Sequence, residues 1–202
     1  FKRLQDMSMQ GVQYLSFRFI AGLASRYINA KCEWMLVPET AGGGCNINLG
    51  IHFYDICYGL FGEGAEIRAA SMSNAAWGYP VEDYALVSIG CGRSLCTIET
   101  GYLYPAPTNH FDMHYSTRFG KDYMVAHDPD TIEITNNNGV SQKLASQTTN
   151  VPHYRTFVHD VIARFRAGRE PLASLADMVP IMRLVDQSYH VARPYFVVGK
   201  PD

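Results

Sequence analysis

Three polar side chains, Asn48, His52 and Asp55, follow one another at intervals of four and three residues in a segment without Lys, Arg or Glu. A helix over 46–61 places them in one narrow stripe that Gly59 continues. A histidine can take up or release a proton near neutral pH, and carboxylate and amide groups can hydrogen-bond a hydroxyl group. The stripe therefore has the residue types of half an active site for proton transfer.

The remaining residues of this helix are apolar nearly all round, which is typical of a buried helix. A buried polar side chain costs about 1–3 kcal/mol if it lacks a hydrogen-bond partner. We therefore expect the stripe to face either a polar network inside the core or a water-filled cavity, and the spacing alone leaves both open. A metal site is not predicted, because His52 and Asp55 have no further ligands signalled nearby.

Three glycines at 42–44 directly precede the helix. Glycine permits positive φ and close approach of the backbone to another group. The unpaired N–H groups and the positive end of the helix also lie there. These properties favour Gly44 as a residue that contacts a ligand.

The composition is that of a globular protein of 202 residues, 47% hydrophobic and 18% charged, with a formal net charge of −2. A near-neutral balance without a basic run argues against nucleic acid or an anionic membrane as the main partner. No apolar run approaches the roughly 20 residues that span a membrane. The odd, scattered set of cysteines predicts free thiols in a reducing cytoplasm. Because the chain does not begin with Met, we interpret it as an excised fragment of a longer protein.

The first quarter of the chain predicts one strand and one helix. Residues 1–10 are interpreted as the tail of a helix, and partial alternation over 12–20 predicts a strand. Residues 21–45 are predicted to be irregular, and the helix over 46–61 follows.

Short β-leaning runs separated by turn signals fill 65–145. The strongest turn signal is Asn-Asn-Asn-Gly at 136–139, which predicts a hairpin. Two helices close the chain, at about 153–167 and 175–193. Ser174 and Asp177 are candidate caps of the second, in which Pro180 predicts either a later start or a kink.

This arrangement predicts an α+β fold, a large and mainly antiparallel open sheet with helices on one face. The other face of such a sheet needs a covering partner, for which a second copy of the chain is a natural candidate. The chain has no GxGxxG motif, no P-loop and no series of alternating β-α units, so no nucleotide-binding domain is predicted within it.

Three segments resemble the C-terminal domain of the glucose–fructose oxidoreductase / inositol dehydrogenase (Gfo/Idh/MocA) family. GGGCNINLGIHFYDICYGLFG at 42–62 is similar to the Gly-rich turn and D/N-x-G-x-H-x-x-D motif of the family. VEDYALVSIGCGRSLCTIETGY at 81–102 resembles its strand–turn–strand pair. The segment 157–193 resembles its closing turn and final helix, so the resemblance covers nearly the whole chain.

The resemblance implies a two-domain NAD(P)-dependent dehydrogenase whose N-terminal Rossmann domain is absent from this chain. Residues 1–202 would then form a single substrate-binding and oligomerisation domain, with NAD or NADP bound mainly by the missing domain. The implied substrate is a sugar-like or polyol-like secondary alcohol, and the implied assembly is a homo-oligomer formed through the open sheet face.

The resemblance also suggests roles for the stripe. His52 matches the histidine that takes the hydroxyl proton during hydride transfer, and Asp55 matches a position that binds substrate hydroxyls. Asn48, the second catalytic candidate beside His52, matches a position that is often Asp. Its amide can orient a hydroxyl group or the histidine, but it cannot carry negative charge or accept a proton.

Other candidate lining residues come from neighbouring segments. Tyr104 follows the strand at 95–102 and could reach the cavity, while Arg18, Arg26 and Trp34 lie on segments that lead to it.

Two alternatives remain. The chain could be a non-catalytic ligand-binding or regulatory domain, which the Asn48 departure makes conceivable. It could also be an α+β domain that only assembles oligomers, with the stripe satisfied internally. On the leading interpretation the isolated chain is inactive, because the hydride acceptor must lie within about 3.5 Å of the reacting carbon.

Overall fold

The computed structural model describes residues 11–105, 110–145, 150–193 and 196, so the helix interpreted at 1–10 lies outside the described residues. Within them, eight strands form one sheet. The strands are β1 (Val12–Gly22), β2 (Glu66–Ser73), β3 (Tyr84–Cys91), β4 (Ser94–Tyr104), β5 (Phe111–Phe119), β6 (Asp122–Ala126), β7 (Thr131–Thr135) and β8 (Ser141–Ala145).

The described helices include two long ones near the end of the chain and several short ones after β1. The α-helices are α1 (Ser25–Asn29), α2 (Pro38–Ala41), α3 (Ile51–Phe61), α4 (Asn150–Arg166) and α5 (Leu175–Ala192). Turns of 3₁₀-helix occupy Glu33–Leu36 and Gly62–Gly64, and a π-helix occupies Asn46–Gly50. The prediction that 21–45 is irregular is therefore wrong in part, because α1, α2 and the first 3₁₀ turn all lie within this range.

The sheet has the strand order β2-β3-β4-β1-β5-β6-β7-β8. Every neighbouring pair is antiparallel except β1 and β4, which run parallel. The predicted mainly antiparallel sheet is confirmed, and β7 and β8 form the hairpin predicted at 136–139. The parallel pair requires a crossover, which carries α3 over one face of the sheet.

Helices α3 and α5 pack on one face of the sheet, as predicted. Phe53 of α3 stacks on Phe17 of β1 with ring centroids 5.0 Å apart, and Tyr115 of β5 meets Phe53 edge-on at 5.4 Å. Side chains alternate between the faces of a strand. Arg18, the neighbour of Phe17, therefore lies on the other face, where it forms ion pairs with Glu99 and Asp112.

The last helix packs against β2 and α3 and holds the edge of the sheet. The Ser174 side chain accepts a hydrogen bond from the Asp177 N–H, and the Asp177 carboxylate accepts one from the Ser174 N–H. This capping box confirms both predicted caps. The helix begins at Leu175 and contains Pro180, so the later start suggested by the proline is wrong.

All five cysteines lie in the described part of the chain, and none forms a disulfide, as predicted. No helix among the described residues has the length and apolar character needed to cross a membrane.

The stacked ring of Phe53 joins α3 to the sheet, so we predict that Phe53→Ala lowers the free energy of unfolding by about 3–5 kcal/mol. Urea unfolding of the chain measures this change. Phe157→Ala is the matched control, because Phe157 of α4 is 57% exposed and its truncation leaves no internal cavity. Equal losses in the two variants would show that α3 is not anchored by this stack.

Candidate functional site

The stripe begins in a π-helix. Asn46–Gly50 has the wider π turn, and the regular α-helix starts only at Ile51. The predicted continuous α-helix over 46–61 is therefore corrected in its first turn. A π turn is uncommon and is often found at functional sites.

The structure exposes most of the stripe. His52, Asp55 and Gly59 face solvent, and Asn48 is partly buried. The buried side chains of α3 lie on its other side and are Phe53, Tyr54 and Cys57. The expectation of a helix buried all round is thus corrected: within the described residues, the chain leaves His52 and Asp55 uncovered.

A buried carboxylate holds the turn before this helix. Glu82 Oε1 accepts hydrogen bonds from the Gly44 N–H at 2.9 Å, from the Asn46 N–H at 2.9 Å and from the Tyr189 hydroxyl at 2.7 Å. A Cβ on Gly44 would overlap the carbonyl oxygen of Glu82, so only glycine fits there. The close approach that was expected between Gly44 and a ligand is made to Glu82 instead, and Glu82 occupies the Gly44 N–H group.

Burial raises the pKa of Glu82, while the three donors act in the opposite direction. Its second oxygen, Oε2, is buried and has no hydrogen-bond partner among the described residues. Burial and the neighbouring Glu82 raise the pKa of Tyr189, so the phenol keeps its proton and remains a donor. One carboxylate oxygen therefore joins the start of the site to α5.

Asn46 forms a second link between these elements. Its Nδ2 donates to Ser188 Oγ at 3.0 Å, and its Oδ1 accepts from the Tyr54 hydroxyl at 3.0 Å. Ser188 Oγ in turn donates to the Val185 carbonyl oxygen. These bonds hold the π turn against both α3 and α5.

Asn48 faces a pair of tyrosines. Its Nδ2 donates to the Tyr102 hydroxyl at 2.8 Å and to the Tyr27 hydroxyl at 2.5 Å. Tyr102 is fully buried, and burial raises its pKa, which keeps it a neutral phenol. Arg26 also donates to the Tyr27 hydroxyl, at 2.8 Å. Because a phenol both donates and accepts, the same pocket could also hold a carboxylate at position 48.

His52 and Asp55 form the exposed part of the site. Partial burial raises the pKa of Asp55, whereas the nearby His52 lowers it and Asp177 at the start of α5 raises it. The two side chains are one helical turn apart, so the carboxylate and the imidazole lie on the same side of α3.

The remaining sequence candidates divide between the two faces of the sheet. Arg18 lies on the face opposite α3, and its expected place near the cavity is corrected because strand alternation turns it away from His52. Tyr104 ends β4 beyond an irregularity in the β1–β4 register, so strand alternation does not assign it to a face, and it is partly buried. Trp34 lies in the 3₁₀ turn after α1 and is 53% exposed.

Three cavities among the described residues lie away from this stripe. One of about 520 Å³ lies between β2 and α5 beside Glu66 and His190. A second, of about 280 Å³, lies beside Tyr58 and Arg183, and a third, of about 180 Å³, is an apolar hollow against the sheet. None of the three is lined by His52 or Asp55. Among the described residues, no three His, Cys, Asp or Glu side chains form a metal-ligand cluster.

Sequence reasoning missed Glu82, Tyr27 and Tyr102. Glu82 is the acidic residue at the start of a predicted strand pair, where a solvated charge is the ordinary expectation. The two tyrosines lie far from Asn48 along the chain, so no local spacing indicated that they meet it.

Comparison with known proteins identifies the class. Residues 15–118 match the model of the GFO/IDH/MocA C-terminal domain, which is just over half of the chain. The chain therefore belongs to this family. No curated protein sequence matches it.

Solved structures share the fold at low sequence identity. Levoglucosan dehydrogenase in complex with NADH and levoglucosan superposes with a TM-score of 0.78 at 14% identity over 96% of this chain and 60% of that one. Aldose-aldose oxidoreductase from Caulobacter crescentus complexed with glycerol has a TM-score of 0.75 at 18% identity, covering 98% and 58%. An oxidoreductase from Agrobacterium radiobacter in complex with NAD⁺, L-tartaric acid and magnesium has a TM-score of 0.76 at 17%, covering 95% and 58%. The chain thus spans under two thirds of the length of these relatives.

The raised pKa of Glu82 predicts a specific pH dependence of stability. Above the ordinary carboxyl pKa of 4.5 the unfolded state has lost a proton that the folded state keeps. The stabilising contribution is therefore present below pH 4.5 and is lost as pH rises through the folded pKa, by up to about 1.4 kcal/mol per pH unit. Glu82→Gln carries no such proton, so the stability of the wild type relative to this variant should fall with rising pH.

Urea unfolding at a series of pH values from 4.5 to 8 measures this difference. The exposed Glu63→Gln variant serves as the control and should retain the pH dependence of the wild type. Wild-type and Glu82→Gln curves that run parallel would show that Glu82 is already ionised in the folded protein at pH 4.5.

Proposed function

We propose that this chain is the substrate-binding domain of an NAD(P)-dependent oxidoreductase that acts on a sugar-like or polyol-like secondary alcohol. The observation that carries the proposal is the exposed pair His52 and Asp55, on a helix whose first turn is held by buried hydrogen bonds, in a member of the GFO/IDH/MocA C-terminal domain family. A helix held in this way can present an acid–base group in a constant direction.

In the proposed oxidation, His52 takes the proton of a substrate hydroxyl group while the hydride leaves the carbon that bears this hydroxyl. The electron pair of the broken O–H bond forms the new C=O bond. The Asp55 carboxylate then stabilises the positive imidazole and can accept a hydrogen bond from a second substrate hydroxyl. In the reverse direction, His52 returns the proton to the carbonyl oxygen.

The nicotinamide of NAD or NADP supplies the hydride acceptor when it is bound. The exposed face of α3 suits such a group, because His52, Asp55 and the side-chain-free Gly59 leave it open to solvent. We propose that the cofactor is held mainly by a further domain, since the relatives are longer than this chain and one of them is described with NADH.

The relatives also support a polyhydroxylated substrate. Levoglucosan and glycerol accompany two of the related structures. The Asp55 carboxylate and the Asn48 amide oxygen provide the acceptors that hydroxyl groups need, while the Asn48 N–H groups donate to Tyr27 and Tyr102.

We further propose that the open sheet face joins copies of the chain. Exposed Leu86 and Leu95 lie on this face, at 42% and 41% exposure, among polar side chains. A monomer of the full-length protein in light scattering would contradict this assignment.

The main test is His52→Ala in the full-length protein that contains the chain. With NAD and NADP against a panel of sugars and polyols, we expect turnover to fall by about 100-fold or more, because the proton acceptor is lost. Because His52 is exposed, thermal stability should stay unchanged.

His159→Ala is the matched control, since His159 is an exposed histidine on α4, away from the stripe. Equal turnover in the wild type and His52→Ala would remove His52 from the mechanism. Absence of turnover on every substrate in the wild type would favour the non-catalytic, ligand-binding alternative.

A second prediction concerns the chain by itself. Residues 1–202 should show no dehydrogenase turnover with NAD or NADP, because the hydride acceptor must lie within about 3.5 Å of the reacting carbon and we propose that a further domain holds it there. A coupled absorbance assay at 340 nm tests this. Measurable turnover by the isolated chain that disappears in His52→Ala would show that this domain binds the cofactor unaided.

A further inference from the structure

Arg26 is a positively charged residue that the mechanism above does not use. It lies in α1 and is partly buried, with its guanidinium 4.8 Å from the ring centre of Tyr27 and 5.3 Å from that of Tyr102. The ion pairs formed by the described residues involve Arg18, Arg68 and Arg164, so Arg26 has no carboxylate partner in this part of the chain. A charge held in place without a counter-ion is available to a ligand.

A shared oxygen connects Arg26 to the stripe. Arg26 Nη2 and Asn48 Nδ2 both donate to the Tyr27 hydroxyl, so the guanidinium and the amide flank the same atom. Asn48 lies one helical turn before His52, on the same side of this helical segment. The guanidinium therefore lies at the edge of the proposed alcohol site rather than elsewhere on the surface.

The two tyrosine rings orient the guanidinium without neutralising it. Packing over aromatic faces favours a cation and restricts its rotation. Only one of its N–H groups is used in the described contacts, so others remain for a planar, two-oxygen acceptor. An arginine restrained in this way loses little entropy on binding an anion.

A carboxylate fits these surroundings better than a phosphate. A phosphate is usually held by several donors, typically backbone N–H groups of a glycine-rich turn at a helix start. Here Glu82 already occupies the Gly44 and Asn46 N–H groups of that turn. A single arginine matches the one carboxylate of a sugar acid.

We propose that Arg26 binds the carboxylate of the substrate, so that the enzyme acts on an acidic sugar derivative such as an aldonic or uronic acid. This inference rests on the proposed function of the His52 site and specifies its substrate class. Arg26 holds the acid group, Asp55 and Asn48 contact hydroxyls, and His52 takes the proton of the reacting alcohol.

The test compares matched substrates in the full-length protein. D-Glucuronate is paired with D-glucose, and D-gluconate with D-glucitol, and D-glucose 6-phosphate is included as the alternative anion. We expect the acid of at least one pair to be turned over with a higher kcat/KM than its neutral partner. Arg26→Gln should raise KM for the acid by about 10- to 100-fold and leave kcat within a few-fold, because the lost contact binds rather than reacts.

Two further variants separate this role from a structural one. Arg26→Lys should restore part of the preference for the acid, since it keeps the charge but not the planar fork. Arg155→Gln removes an exposed arginine on α4, away from the stripe and from the open sheet face, and should change neither KM nor the preference. A structural role for Arg26 would instead lower activity on acidic and neutral substrates alike.

The outcomes keep the two proposals apart. Preference for neutral substrates, with equal KM in wild type and Arg26→Gln, overturns the carboxylate assignment and leaves the dehydrogenase proposal standing. Preference for D-glucose 6-phosphate that Arg26→Gln abolishes also overturns it, in favour of a phosphate. If no substrate is turned over, the proposed function fails, and calorimetric titration with D-glucuronate then tests the carboxylate site by itself. Binding that Arg26→Gln abolishes supports this site. Equal binding in the two proteins, or no binding, overturns it.

Discussion

The buried carboxylate of Glu82 is the interaction on which the rest of the site depends. One oxygen receives the N–H groups of Gly44 and Asn46 and the hydroxyl of Tyr189, so the glycine turn and α5 meet at a single atom. Without it, buried N–H groups at the start of the π turn would lack partners, which is costly in a low-dielectric interior. The direction in which α3 leaves this turn, and hence the direction of His52, follows from that contact.

The helix that follows serves two purposes on opposite sides. Phe53, stacked on Phe17, anchors it to the sheet, while His52 and Asp55 remain open to solvent. A polar pair that is exposed on a rigid helix can contact a ligand or a further domain, whereas a buried pair would only form hydrogen bonds within the core. The Asn48 amide, held by Tyr27 and Tyr102, extends this surface toward Arg26, which has no carboxylate partner among the described residues.

Local signals predicted much of the fold. The capping box at Ser174, the hairpin at 136–139 and the strand at 12–20 each depend on neighbours within a few residues, and the structure confirms them. The parallel pairing of β1 with β4, the π turn before α3 and the opposite face of Arg18 were missed or wrong. The pairing of β1 with β4, the bonds that hold the π turn and the choice of the sheet face that α3 covers all depend on contacts between residues far apart in the chain, which no short pattern encodes.

The sequence by itself determined which residues could do chemistry, because the spacing of Asn48, His52 and Asp55 on a helix follows from backbone geometry alone. It also determined the α+β class, through the order of periodic segments. Only the tertiary structure decided that the Gly44 N–H donates to Glu82 rather than to a ligand, and that the Asn48 amide donates to two tyrosine hydroxyl groups. The physical reason is that hydrogen-bond partners of buried groups are chosen by packing, which brings together side chains that the sequence keeps apart.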